Sequence, residues 1–201
     1  YRVLSLLKRP PPVMEALLSL GEVRIDGILC PGHVSVITGM QPSQSIPSRY
    51  GVGCVVSGFE PLDILRAIEL LLGQVETDSP AVANAYERAV ADGGNTVAQD
   101  LMQQVFGPSA AEWRGIGWVE DSGLSFRPEF ASFDATTLCP TDVPASEDPP
   151  ACRCGDVLRG SCLPDECTLF GTGCTPQRPI GPCMVSHEGS CAAHFAYSAG
   201  S

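Results

Sequence analysis

A chain of 201 residues, 44% hydrophobic and 17% charged, holds enough apolar material for one good core plus a smaller module, and its composition is that of a folded protein. Twelve Lys and Arg stand against twenty-three Asp and Glu, a formal net charge of −11, which argues against nucleic acid and against an anionic membrane surface as partners. No apolar run approaches the roughly eighteen residues of a membrane span, so a soluble cytoplasmic protein is expected.

The opening, YRVLSLLKRPPP, has no Met and enters an apolar run at once, as if cut from something longer. Residues 3–7 read as a short strand, ended by the prolines at 10–12. Val13, Leu17, Leu18 and Leu20 predict a helix, with Pro12 suited to its first position and Gly21 closing it. Residues 25–30 form a second strand that runs straight into PGHVSVITG. Residues 54–57 form a third, running into FEPLDILRAIELLLG. There Pro61 opens a helix, Asp63 sits at the positive end of its dipole, and Ile64, Ile68, Leu71 and Leu72 share one face. Two more helices are predicted over 81–90 and 96–106, the second capped by Asn95. WRGIGWVEDSGLSF returns to strand composition, with turns at Gly115, Gly117 and Gly123. Four prolines with Asp142, Glu147 and Asp148 make 140–150 a linker.

Strands alternating with helices at short spacing predict βα units and a parallel sheet. The fold class is therefore read as α/β, a parallel-sheet βα domain over 1–139 followed, beyond the linker, by a small Cys-rich domain over 151–201. In such sheets functional groups collect beyond the carboxyl ends of the strands, where PGHVS and GFEP fall. His33 on one loop and Glu60 on the other become candidate cleft residues. The plainer readings are a turn histidine bonding its own backbone and a carboxylate at a helix start. GVGCVVSG lacks the Lys-Ser/Thr of a phosphate loop, and neither Ser-His-Asp nor HExxH patterns occur, so an independent hydrolase is not expected.

Seven of the ten cysteines lie between Cys152 and Cys191, among Gly, Pro and turn-forming polar residues. Such a segment buries too little apolar surface to order itself, so a covalent or coordinative staple must hold it. A disulfide framework needs an oxidising compartment, and no signal peptide is visible. Structural zinc favours short paired spacings. Here one Cys-x-Cys is followed by gaps of twelve, six, eight and seven residues, Cys162 set aside. An iron–sulfur cluster takes four thiolates at a cube's corners and accepts dispersed spacing, so the spacing favours it over zinc without removing either. Cys30 and Cys54, beside apolar runs, read as packing. Cys139, next to the linker, has no assigned role.

The phrases CRCGDVLRG, PDECTLFG, CTPQRPIGPCMVSHEG and SCAA closely resemble the C-terminal domain of the HypD family of hydrogenase maturation factors. PGHVSVITG, SGFEPLDIL, NAYERAV, WRGIG, SGLSF and FDA extend the resemblance upstream in the family's order. It implies a [4Fe-4S] cluster on Cys152, Cys167, Cys174 and Cys191, beside a redox pair, Cys154 and Cys183, arranged as in ferredoxin–thioredoxin reductase. Cys154 lies one residue from a proposed ligand, too close for both to bind one cube comfortably, which suits a separate thiol–disulfide role. Cys162 takes no family role, and His187, where the family more often has Ser, is given no ligand role.

The resemblance covers the C-terminal portion of the family only. The family's Cys-Gly-x-His, Cys-Pro-x-Cys and Gly-Phe-Glu-Thr-Thr segments, with its iron-holding cysteine, are not in this sequence. What it implies is a scaffold that works with a HypC-like chaperone and a HypE-like protein. Together they assemble the iron carrying two cyanides and one carbon monoxide for [NiFe]-hydrogenase, the cluster and cysteine pair relaying electrons. Two other readings stand beside it: a disulfide reductase acting on an external disulfide, and a structural zinc module that binds proteins.

Overall fold

The computed structural model describes residues 1–138 and 149–198. Contacts gather them into two units. One comprises Tyr1–Arg24, Pro108–Leu124 and the described residues from Phe133 onward; the other comprises Ile25–Gly107 and Ser125–Ser132. Cys139 and the linker read at 140–150, apart from Pro149 and Pro150, lie outside the described residues.

The second unit is built on a three-stranded sheet, β1 (Gly27–Pro31), β2 (Gly53–Ser57) and β3 (Val82–Asn84), paired parallel in the order β1-β2-β3. Every residue of β2 is buried, as a central parallel strand requires, and its Val55–Val56 pair suits that setting. Helices α2 (Gly32–Thr38), α3 (Ser45–Tyr50), α4 (Pro61–Glu76) and α5 (Thr96–Val105) belong to the same unit. The α/β class and the parallel sheet are thus as the sequence indicated.

The packing face of α4 differs from the one its sequence suggested. Ala67 packs on Val55 and Ala85, with Leu71 and Ala83 against them. The seam therefore runs through Asp63, Ala67 and Leu71 at helical i, i+4, i+8 spacing, while Ile64, Ile68 and Leu72 stay exposed. A small residue at the contact lets the helix lie close to the sheet, and the isoleucines are too large for that position.

No helix forms over 81–90. Residues 82–84 become β3, and a tight turn follows in which the N–H groups of Ala89 and Val90 both donate to the Tyr86 carbonyl. Asn84 decides the outcome. Its side-chain oxygen accepts from the Tyr86 N–H at 2.9 Å and its amide donates to the Val90 carbonyl at 2.8 Å, so the side chain takes backbone bonds that a helix would have used. The next helix keeps its expected start, the Asn95 side chain accepting from the Ala98 N–H at 3.0 Å.

In the first unit α1 (Pro10–Ser19) starts on proline and ends ahead of Gly21, whose φ is +67°. The strand expected over 3–7 does not form a continuous ladder. Val3 bridges Asp134 and Lys8 bridges Gly123, so the two ends of the segment pair with different partners. A two-stranded hairpin joins β4 (Phe106–Trp113) and β5 (Gly117–Phe126), and its ends belong to the second unit. Gly115 and Gly117 make its turn with positive φ. Gly123 lies within β5 instead of at a turn, where a Cβ would crowd Ser109 and Ala111.

The Cys-rich stretch carries α6 (Cys154–Leu158), α7 (Pro182–Val185) and α8 (Ser190–Ser198). Its core is small: Cys174, Met184 and Ala192, with Leu169, Phe170, Ile180 and Phe195 around them. Among the described residues no helix is long and apolar enough to cross a membrane.

Candidate functional site

Short turns, rather than long elements, place the sulfurs of the first unit. Cys152 sits on a turn whose N–H reaches the Pro149 carbonyl at 2.8 Å, and Cys154 begins α6. A 3-10 turn at Pro164–Glu166 delivers Cys167. Cys174 closes the next turn, its N–H on the Leu169 carbonyl at 2.7 Å. Cys183 lies in α7 and Cys191 at the start of α8. All six cysteines line one small cavity of about 20 Å³, together with Arg153, Leu169, Phe170, Gly181 and Met184 among its walls.

Cys154 and Cys183 are joined in a disulfide, with their Cα atoms 6.2 Å apart. Both residues are about 95% buried, being 4% and 5% exposed. Glycines make this closeness possible. A Cβ on Gly181 would stand 2.5 Å from Cys152 Sγ, and one on Gly189 would collide with the Cys183 backbone. The Ile180 N–H points at Cys174 Sγ from 3.3 Å and partners that sulfur. Asp156 braces α6 by accepting from Arg153 Nε at 3.0 Å and from Arg159.

Electrostatics bear on what the cavity fits. Burial, and then the neighbouring sulfurs of Cys174, Cys167, Cys152 and Cys162, push the Cys191 thiol up to about 11. Thiols gathered this way resist joint deprotonation unless a cation compensates them. Among the described residues no three His, Cys, Asp or Glu side chains close around a single metal ion. The donor set is all sulfur, which suits soft metal centres, a cluster and a thiolate-bound ion among them. Cys162 is buried with its thiol donating to the Leu163 carbonyl at 3.1 Å, and burial raises its pKa.

The second unit presents another group at the carboxyl edge of its sheet. β1 ends at Pro31, in register with Ser57 at the end of β2, and His33 lies not on a loop but in the first turn of α2, which follows β1 directly, while Glu60 stands at the N-cap of α4. The His33 and Phe59 rings lie 5.2 Å apart. Arg88 donates to both oxygens of Asp63, at 2.6 and 2.7 Å, and stacks 4.5 Å over Tyr86. It also reaches Glu60 at 3.4 Å. The Arg88 hydrogen bonds hold the Asp63 carboxyl below its ordinary range. Gly32 and Gly58 both underlie the Tyr86 ring, where a Cβ would crowd it. Cys30 and Cys54 are buried on neighbouring strands, and their mutual hydrogen bond followed by burial drives Cys54 upward, keeping it a thiol.

Comparison with known proteins decides the family. The HypD family, described as hydrogenase formation hypA family, matches residues 1–198. The chain belongs to the HypD family. It is 44% identical over 194 residues to the hydrogenase maturation factor HypD of Rhizobium leguminosarum bv. viciae, covering 94% of this chain and 50% of that protein. It is 42% identical over 188 residues to HypD of Escherichia coli strain K12, covering 92% and 50%. A putative hydrogenase expression/formation protein of Methanocaldococcus jannaschii is 42% identical over 199 residues, covering 98% and 55%. The chain thus spans about half the length of the curated relatives it matches.

In this HypD-family chain several site residues escaped the sequence reading. Arg153 lines the thiol cavity from between two cysteines, and its place in C-R-C was the available signal. Arg88, Tyr86 and the buried Asp63 frame the Glu60 loop. Nothing in their spacing announced that residues 63 and 88 meet. Gly115 and Gly181, which close on Cys154, looked like ordinary turn residues.

Proposed function

We propose that this chain supplies the cluster-bearing and dithiol portion of a hydrogenase maturation factor. Four thiols and a disulfide lining one cavity carry this reading. Cys152, Cys167, Cys174 and Cys191 would hold a [4Fe-4S] cluster. Such a cluster, when bound, exchanges single electrons. The Cys154–Cys183 bond is the two-electron store beside it. Its reduction breaks the S–S bond, takes up two electrons and two protons, and leaves two thiols. Arg153 contributes a fixed positive charge at the cavity wall, and the apolar side chains of Leu169, Phe170 and Met184 limit water there.

In this reading the family's cargo is an iron carrying two cyanides and one carbon monoxide, built with a HypC-like chaperone and a HypE-like protein in the cytoplasm for [NiFe]-hydrogenase. His33, in the first turn of α2, and Glu60, at the start of α4, form one wall of the cleft for that cargo. Burial of the Cys154–Cys183 pair favours this internal role over steady turnover of an external disulfide.

The test is iron and sulfide analysis with a visible spectrum on protein purified without oxygen. About four irons per chain with broad violet absorbance is the expected result. Colourless protein, with zinc or without metal, would remove the cluster. For the pair, replacing Cys154 and Cys183 by Ser in a full-length relative is expected to abolish hydrogenase maturation; unchanged maturation would sink the relay.

A further inference from the structure

Cys30 and Cys54 take no part in the thiol cavity, yet the parallel sheet brings their sulfurs together. Gly27 and Gly53 are register partners at the start of β1 and β2, and a Cβ on either would meet Leu71 of α4. Side chains alternate faces along a strand. Cys30 and Cys54, each an odd number of residues from its glycine, therefore share the face turned away from α4. There they are diagonal neighbours, because Cys54 pairs with Ile28 and Cys30 pairs with Val56. A hydrogen bond joins the two sulfurs, and Ser43 Oγ lies 3.9 Å from Cys30 Sγ. Both residues are free thiols, 4% and 0% exposed.

The stagger decides what such a pair can do. Two residues along a strand at about 3.3 Å each, with one strand spacing of about 4.8 Å across, separate the Cα atoms by roughly 8 Å. A disulfide spans about 4.4–6.8 Å between Cα atoms, so this pair does not close into one unless its strands move. An ion held at about 2.3 Å from each of two sulfurs keeps them about 4.6 Å apart. Side chains leaning toward each other reach that spacing from where the strands place them.

The donor count narrows the ion. Zinc takes four ligands, and among the described residues no three His, Cys, Asp or Glu side chains gather around a single ion. Soft closed-shell ions such as copper(I) and silver(I) favour thiol sulfur and are content with two donors in line. Charge agrees with a monovalent ion. As it binds, one proton leaves, and two neutral thiols become one neutral thiolate–metal–thiol unit, so the buried site gains no net charge. The hydrogen bond from Cys54 holds the Cys30 thiol below its ordinary value, while Cys54 is driven upward. The departing proton is therefore that of Cys30, and Cys54 keeps its own.

We propose that Cys30 and Cys54 form a two-coordinate site for a soft closed-shell cation of the copper(I) class, between β1–β2 and the 3-10 turn Gln41–Ser43. The site belongs to the sheet unit and does not rest on the cluster reading. With both sulfurs buried, loading and release are slow.

The experiment loads the whole protein with copper(I) under nitrogen, against an excess of bicinchoninate as competing chelator, and counts copper per chain by native mass spectrometry. Thiols of the cysteine stretch also take copper, so the reading is the difference between the parent and two variants, Cys30→Ser and Cys54→Ala. Each variant is expected to hold about one copper fewer per chain than the parent. Equal copper in all three means adventitious binding only and overturns the site. Zinc(II) loading is expected to be the same in parent and variants, and a zinc lost with either cysteine refutes two-coordination. Diamide treatment with peptide mapping is expected to yield no Cys30–Cys54 disulfide; finding one refutes the spacing argument. A further measurement needs no variant. In the parent at moderate urea, copper is expected to slow iodoacetamide labelling of Cys30 and Cys54 about tenfold, and unchanged labelling of both overturns the site as well.

Discussion

Replacing Gly181 by Ala adds one methyl group, and the structure says where it goes. Gly181 has φ −82° and ψ 153°, a conformation any residue adopts, so the substitution costs nothing in the backbone. The new Cβ would lie 2.5 Å from Cys152 Sγ and 3.5 Å from Cys154 Cβ. Comfortable contact begins near 3.5 Å, so the sulfur must retreat by about 1 Å. Overpacking of this kind costs about 1–3 kcal/mol, and a ligand displaced beyond roughly 0.5 Å no longer meets its metal. Turning Cys152 to another rotamer relieves the clash only by moving the sulfur away. The expected outcome is a folded protein whose iron and sulfide fall by roughly half or more, read by metal analysis and visible absorbance, with the urea midpoint as a check on folding. Parent-level iron in Gly181→Ala would refute the placement of Cys152 among the ligands.

Asp63→Asn removes a carboxyl whose pKa Arg88 depresses. The stabilisation from that depression is complete above about pH 4 and is lost as pH falls through the lowered folded value. The parent's urea midpoint therefore falls more steeply than the variant's between neutral and strongly acid pH, and parallel curves would show that the pair does not matter. Asn95→Ala strips the cap from α5 and is expected to lower stability by about 1 kcal/mol in urea unfolding. Ile46→Ala empties a site with no solvent exposure beside β2, at an expected cost of about 2–5 kcal/mol in the same measurement.

Much of this was legible in the sequence because local chemistry agreed with the fold. Pro61 opening α4, Asn95 capping α5 and the apolar runs of β1 and β2 each act within a few residues. The failures are long-range. Residues 81–90 look helical until Asn84 takes the backbone bonds of the turn, and β3 exists only because β2 lies beside it. The choice between the Ile68 and Ala67 faces of α4 depends on how closely the sheet is approached. The cysteines could be grouped by resemblance, yet the cavity they share and the approach of Gly115 to Cys154 depend on packing between segments far apart in the chain.

The disulfide has a topological consequence. It closes a ring of chain between residues 29 apart, and Cys167 and Cys174 lie inside that ring while Cys152 and Cys191 lie just outside. A ring of this length withholds about 3.5 kcal/mol of freedom from the disordered chain. Opening the bond returns that freedom to the segment bearing two of the four thiols. By reciprocity, whatever grips all four thiols and orders the segment makes ring closure easier, and ring opening loosens the grip to the same extent. Were a group bound there, the oxidation state of the pair and the hold on that group would form one equilibrium, movable from either end.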